Sequence, residues 1–175
     1  MGFTPYQKPH PPIEMGAQSE GATRRAARLA DSVFFGPQVA WADMKKLAEV
    51  YREVRREMDQ SPTRGLGASR SLMVGKSKED AARTAQQYLE KTFNMYRSWE
   101  MQEKDMVPLQ LGFDRSLDDW SVVGSPKDCV ETLLHAREAT GLDRVGFTIY
   151  SLPREPQARV DYLQMIAEEI VRKVT

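Results

Sequence analysis

A single cysteine, Cys129, stands in 175 residues, so no disulfide can form within the chain and a thiolate metal cluster is excluded. Histidine is almost as scarce: His10 and His135 are too few for a histidine-rich metal site. Net charge is absent too, with 25 Lys and Arg against 25 Asp and Glu and no long block of like charge. A polyanion-binding tail or basic nucleic-acid face therefore has no basis in composition. No apolar run approaches the roughly 20 residues that cross a bilayer, and the proline-rich N-terminal stretch lacks the apolar core of a signal peptide. These absences predict a cytoplasmic, single-domain protein with neither nucleic acid nor membrane as partner.

What is present is alternation. Pro5, Pro9, Pro11 and Pro12 make residues 1–12 an extended lead-in, because proline lacks a donor and restricts the residue before it. Ile13 to Ala17 then reads as a short strand, with Ser19 as N-cap of a helix reaching about Ala30. Ser32-Val33-Phe34-Phe35, stopped by Gly36-Pro37, is too short for a helix and rich in strand formers. From Trp41 to Met58 apolar residues recur at three and four, the amphipathic signature of a helix.

A polar break, Ser61 to Gly67, precedes a third strand at Ser71–Val74, and a helix over 78–102 follows, with Ser77 as cap and Ala82, Ala85, Leu89, Phe93, Tyr96 and Trp99 inward. Residues 103–124 lack a pattern and read as an irregular insertion. Ser125-Pro126-Lys127-Asp128 starts a helix that Gly141 ends. A fourth strand, 142–150, and a last helix, 156–174, complete the chain. The expected architecture is (βα)4, a parallel sheet with right-handed crossovers and outer helices, half the size of a closed (β/α)8 TIM barrel.

Gly16-Ala17-Gln18-Ser19 joins the first strand to its helix. Small residues permit close backbone approach there, and the free N–H groups and positive dipole end of a helix opening at Ser19 suit an anion. An ordinary N-cap serine fits the same residues. Arg24 and Arg25, a turn later, add attraction only if they do not point to solvent. Arg154, in the loop after the last strand, is read chiefly as solvated. His10 reads as packing in the lead-in and His135 as outward-facing. Cys129 lies in a helix's first turn, which can lower a thiol pKa, but no partnered histidine makes it a nucleophile.

Three segments in order, KPHPPIEMGAQSEGATRRAARLADSVFF, SLMVGKSKEDAARTAQQYLEKTFNMY and VVGSPKDCVETLLHAREATGLDRVGFTIY, make the chain resemble the C-terminal half of the bacterial luciferase-like monooxygenases, the flavin- or deazaflavin-dependent barrel family. The first resembles the family's fifth strand, phosphate turn and sixth strand; the others resemble its seventh and eighth strands with their helices. The resemblance implies that the phosphate of FMN sits at Ala17, Gln18 and Ser19, and that the strand end at Phe34 and Phe35 approaches the flavin ring, with Phe35 the cofactor-side residue. It implies FMN as reduced cofactor, with the deazaflavin F420 as the other choice, a separate flavin reductase, oxygen, and a small organic substrate. Strands one to four of the family have no counterpart. The chain is thus expected to be a fragment completed by an N-terminal half, or a half-barrel that pairs with a second copy as a homodimer and keeps residual flavin or phosphate binding. Catalytic residues are not legible, and the chain alone is expected to be inactive.

Overall fold

A computed structural model of the chain describes residues 5–60, 65–98, 113–149 and 151–175. Its elements run β1 (Glu14–Ala17), α1 (Glu20–Leu29), β2 (Ser32–Phe35), α2 (Trp41–Glu57), β3 (Leu66–Val74), α3 (Lys78–Ser98), α4 (Phe113–Trp120), β4 (Ser121–Gly124), α5 (Pro126–Thr140), β5 (Arg144–Ile149) and α6 (Pro156–Ile166). The last helix continues through a π-helical stretch, Ala167–Val171, to a final turn, Arg172–Val174. Every strand pairing is parallel: β1 with β2, β2 with β3, and β3 with both β4 and β5. The sheet is thus the parallel α/β arrangement that strand–helix alternation demands.

Strand β3 organises it. Residues 67–72 of β3 pair with β5, while Val33, Phe34 and Phe35 of β2 pair with Leu66, Gly67 and Ala68, and β4 pairs with Ser71 to Val74. A residue has one ladder partner per edge, so β2 and β4 share one edge of β3, end to end, and β5 takes the other.

The alternation of side chains along each strand separates two faces. Val33, Phe35, Leu66 and Ala68 meet Ala26 and Ala27 of α1 and Met44, Leu47, Ala48, Tyr51 and Val54 of α2 in one buried cluster. Leu72 and Val122 join Cys129 and Leu133 of α5 and Ile166 and Ile170 of the last helix in a second. On the opposite face, Met73 and Val123 pack with Ala81, Ala85 and Leu117 beneath α3 and α4. Each fully buried large apolar side chain contributes about 1.5–3 kcal/mol relative to exposure, so these clusters, more than helix propensity, hold the layers together.

Two stretches differ from the expectation. Within residues 103–124, read as irregular, the structure has helix α4 and strand β4, while 103–112 lie outside the described residues. Four residues are too few to show a period, and Ser121–Gly124 becomes a strand because the end of β3 offers it a partner. Strand β3 also begins at Leu66, not Ser71. Gly67, Ser69 and Ser71 on one face and an arginine on the other hide its alternation from a hydrophobicity pattern. The expected inward side chains Leu89, Phe93 and Tyr96, and Trp99, lie outside what the structure describes, as do helix positions 99–102 and strand position Tyr150.

Near the start of the sheet, the face opposite α1 and α2 carries Phe34 laid over Gly67 and Gly146. Arg144 of β5 reaches back to Glu14 of β1, which also accepts from the Ser32 hydroxyl at 3.1 Å. The ion pair spans the width of the sheet because the intervening Gly67 has no side chain. A β-carbon at Gly67 would stand 2.6 Å from Cδ2 of Phe34 and 3.1 Å from Nη2 of Arg144, whereas one at Gly146 would meet Phe34 Cζ at an ordinary 3.5 Å. Gly67→Ala is expected to destabilise by about 1–3 kcal/mol and to lower the thermal midpoint, while Gly146→Ala leaves it nearly unchanged; calorimetry on the two variants checks the contrast.

Helix α5 begins with a complete capping box. The Asp128 N–H donates to Ser125 Oγ at 3.3 Å, and Asp128 Oδ2 accepts from the Ser125 N–H at 2.8 Å and the Ser125 hydroxyl at 2.7 Å. These bonds hold the Asp128 carboxyl below its ordinary pKa, first through the hydroxyl and then the main-chain N–H. A depressed carboxylate pKa gives stability that is present above the unfolded value and lost as pH falls through the folded one. Asp128→Ala is expected to cost about 1 kcal/mol at neutral pH, and the gap from wild type in urea denaturation should narrow as the medium is acidified through the carboxylate range.

Candidate functional site

The turn after β1 and the turn after β2 lie side by side because their strands are paired in register, Ala17 opposite Phe35. Between them is an open groove of about 630 Å³, lined by Gly16, Ala17, Gln18, Ser19, Ala22, Phe34, Gly36, Pro37 and Ser69. It lies at the carboxyl ends of β1 and β2, the end of a parallel sheet at which ligands bind.

Its floor is the opening of α1. Ser19 has extended backbone geometry, and its Oγ accepts from the Ala22 N–H at a long 3.4 Å. The Thr23 N–H donates to the Ser19 carbonyl at 2.9 Å. The hydroxyl hydrogen of Ser19 and the N–H groups of Glu20 and Gly21 have no acceptor among the described residues, and Ser19, Glu20 and Gly21 are all exposed. Unpaired amides at the positive end of a helix beside a hydroxyl suit an anion chemically. Glu20, whose charge would oppose an anion there, is bound by Arg24 Nε at 3.0 Å.

Of the residues singled out from sequence, the structure gathers Ala17, Gln18 and Ser19 on the groove. Ala17 is buried, and the exposed Gln18 donates through Nε2 to Gln38 Oε1 at 3.0 Å, bridging the two turns. The side chain of Phe35 is fully buried among α1 and α2, and the groove is lined by its neighbour Phe34. Strand parity decides this, because neighbouring residues point to opposite faces.

The remaining candidates lie elsewhere. Arg24 pairs with Glu20 and with Glu53 of α2, and Glu20 raises its pKa most. Arg25, Arg154 and His135 are exposed, and His10 Nδ1 lies 2.9 Å from the carbonyl of its neighbour Pro11. Cys129 is buried, and that burial pushes its thiol up to about 12 despite the helix start. It is inert as a nucleophile. Among the described residues no group of three or more His, Cys, Asp or Glu is placed to hold a metal ion, and no helix is long and apolar enough to cross a membrane.

Sequence reasoning passed over Arg70 and Tyr162. Arg70 of β3 is completely buried behind the groove wall. The Tyr162 hydroxyl of α6 accepts from the Val74 N–H at 3.2 Å, donates to the Val74 carbonyl at 3.1 Å and lies 3.1 Å from Ser151 Oγ, tying the end of β3 to the loop after β5. A charged residue inside a strand pattern was the available signal for the first; for Tyr162 there was none.

Comparison with solved structures places this architecture among longer chains. The oxygenating constituent of 3,6-diketocamphane monooxygenase from Pseudomonas putida, in complex with FMN, superposes with a TM-score of 0.69 at 20% identity, over 95% of this chain and 50% of that one. Monooxygenase RslO1 from Streptomyces bottropensis gives 0.74 at 20% identity, over 97% and 50%. The coenzyme F420 dependent tetrahydromethanopterin reductase from Methanopyrus kandleri gives 0.64 at 16% identity, over 94% and 51%. The chain spans about half the length of these structures. No curated protein sequence matches it significantly. The sequence model of the luciferase-like monooxygenases matches residues 2–144, and the chain belongs to that family.

Proposed function

We propose that this chain is the cofactor-phosphate half of a flavin-dependent monooxygenase that oxidises a small organic substrate with reduced flavin and oxygen. The observation that carries the proposal is the groove at Ser19, where unpaired amides, a free hydroxyl and small residues converge at the carboxyl end of the sheet. A phosphate fits this donor set. FMN is favoured by the FMN-bound neighbour from Pseudomonas putida, and F420 is the alternative offered by the reductase from Methanopyrus kandleri. The flavin supplies the redox chemistry once bound and reduced by a separate reductase. The chain's own part is to anchor the phosphate through the Ser19 hydroxyl and the main-chain N–H groups of Glu20 and Gly21 and to present Phe34 beside it.

The outer edges of β1 and β5 have no strand partner among the described residues. Unpaired strand edges seek completion, and with the chain spanning half of its structural neighbours, the completing element is the other half of a closed barrel. A second copy of this chain is the alternative, as a self-associating half-barrel that binds flavin without catalysis. Without one or the other the ring face of the flavin stays open to water, and the isolated chain turns over no substrate.

Titration of the chain with FMN and with riboflavin, followed by flavin fluorescence, tests the reading. FMN is expected to be quenched more strongly than riboflavin, and Ser19→Ala should weaken FMN by about tenfold, or 1.4 kcal/mol, while leaving riboflavin nearly unchanged. Absence of any FMN binding, or equal losses for both flavins, overturns it. Light scattering on the same samples separates the monomeric half from the paired form.

A further inference from the structure

Arg70 is fully buried, yet no carboxylate is among its hydrogen-bond partners. Its Nη1 donates to the carbonyls of Ser69 at 2.6 Å and Gly36 at 3.4 Å, its Nη2 to the carbonyl of Val39 at 2.8 Å, and Met44 Sδ lies 3.8 Å from Nη2. The guanidinium lies over the Trp41 ring, 4.0 Å from its centroid. Nε has no partner. Burial lowers the pKa to about 10, so the group remains a cation at neutral pH.

A buried charge without a counter-ion is costly, and an apolar side chain of similar volume serves a core at least as well. Arg70 contributes what an apolar residue lacks. Its fork grips the main chain of the loop between β2 and α2, and two of the carbonyls it holds belong to Ser69 and Gly36, which line the groove. The loop's polar groups are thereby turned toward the guanidinium, and an uncompensated positive charge stands directly behind the groove wall.

We infer that Arg70 is a positioning residue: it sets the main chain of the β2–α2 loop and biases the adjoining groove toward an anionic ligand. The ligand half of this inference rests on the proposed phosphate site; the loop half does not. Arg70→Met keeps the volume and removes the charge, and Arg70→Lys keeps the charge and loses the fork.

Hydrogen exchange on the ligand-free chain reads the first half. Amides of Gly36, Gln38, Val39 and Ala40 should exchange about tenfold faster in Arg70→Met, and faster than wild type in Arg70→Lys, with β5 amides unchanged. Unchanged exchange at these four amides in either folded variant overturns the inference. Should Arg70→Met not fold, Arg70→Lys alone decides. FMN and riboflavin titrations read the second half: the preference for FMN should fall about tenfold in Arg70→Met and persist in Arg70→Lys. A preference retained in Arg70→Met overturns the electrostatic role. A wild-type chain that binds neither flavin sinks the phosphate reading, and with it the electrostatic role, while the exchange result still decides the role in the loop.

Discussion

Strand β3 takes part in three of the sheet's pairings, and the geometry of the molecule follows from how its nine residues divide their work. One edge is shared end to end by β2 and β4, and the other is given to β5. Its helix-facing residues, Leu66, Ala68 and Leu72, fill the core with α1, α2, α5 and the last helix. The opposite face holds Gly67, Ser69 and Ser71, small enough to leave space above the sheet. A bulky residue at Gly67 would remove the bed on which Phe34 and Arg144 rest.

The same strand brings charge to the groove. Arg70 belongs by parity to the helix-facing side, where apolar residues are expected, and it sits beneath the turn after β2 rather than in solvent. The opening of α1 supplies unpaired amides from one side of the groove, and the guanidinium lies behind the other. Two sources of positive potential thus flank one cleft, in a chain whose formal net charge is zero. Bulk charge says little about such a site, because the field at a groove is set by the few groups within a screening length.

Both outermost strands are short of partners in the structure described, and the ion pair between Glu14 and Arg144 joins these two edge strands across the sheet. Both side chains are partly exposed. The pair spans four strands and restrains their spacing.

The sequence alone determined the parallel α/β class, because strand and helix signals alternate and each is local: Ser19 and Ser125 cap, Gly141 ends a helix with φ 65°, and Gly36-Pro37 stops β2. It also located the groove's β1 turn at Gly16 to Ser19, since the chemistry of a helix opening is carried by consecutive residues. Only the tertiary structure decided that Phe34 rather than Phe35 faces the groove, since a two-residue aromatic run does not state which side of the sheet is inner. Likewise β4 is a strand by virtue of β3 beside it, and Arg70 acquires its role from carbonyls more than 30 residues away in the chain. Local propensity is written along the backbone, whereas partners across a sheet become neighbours only when the chain has closed around its core.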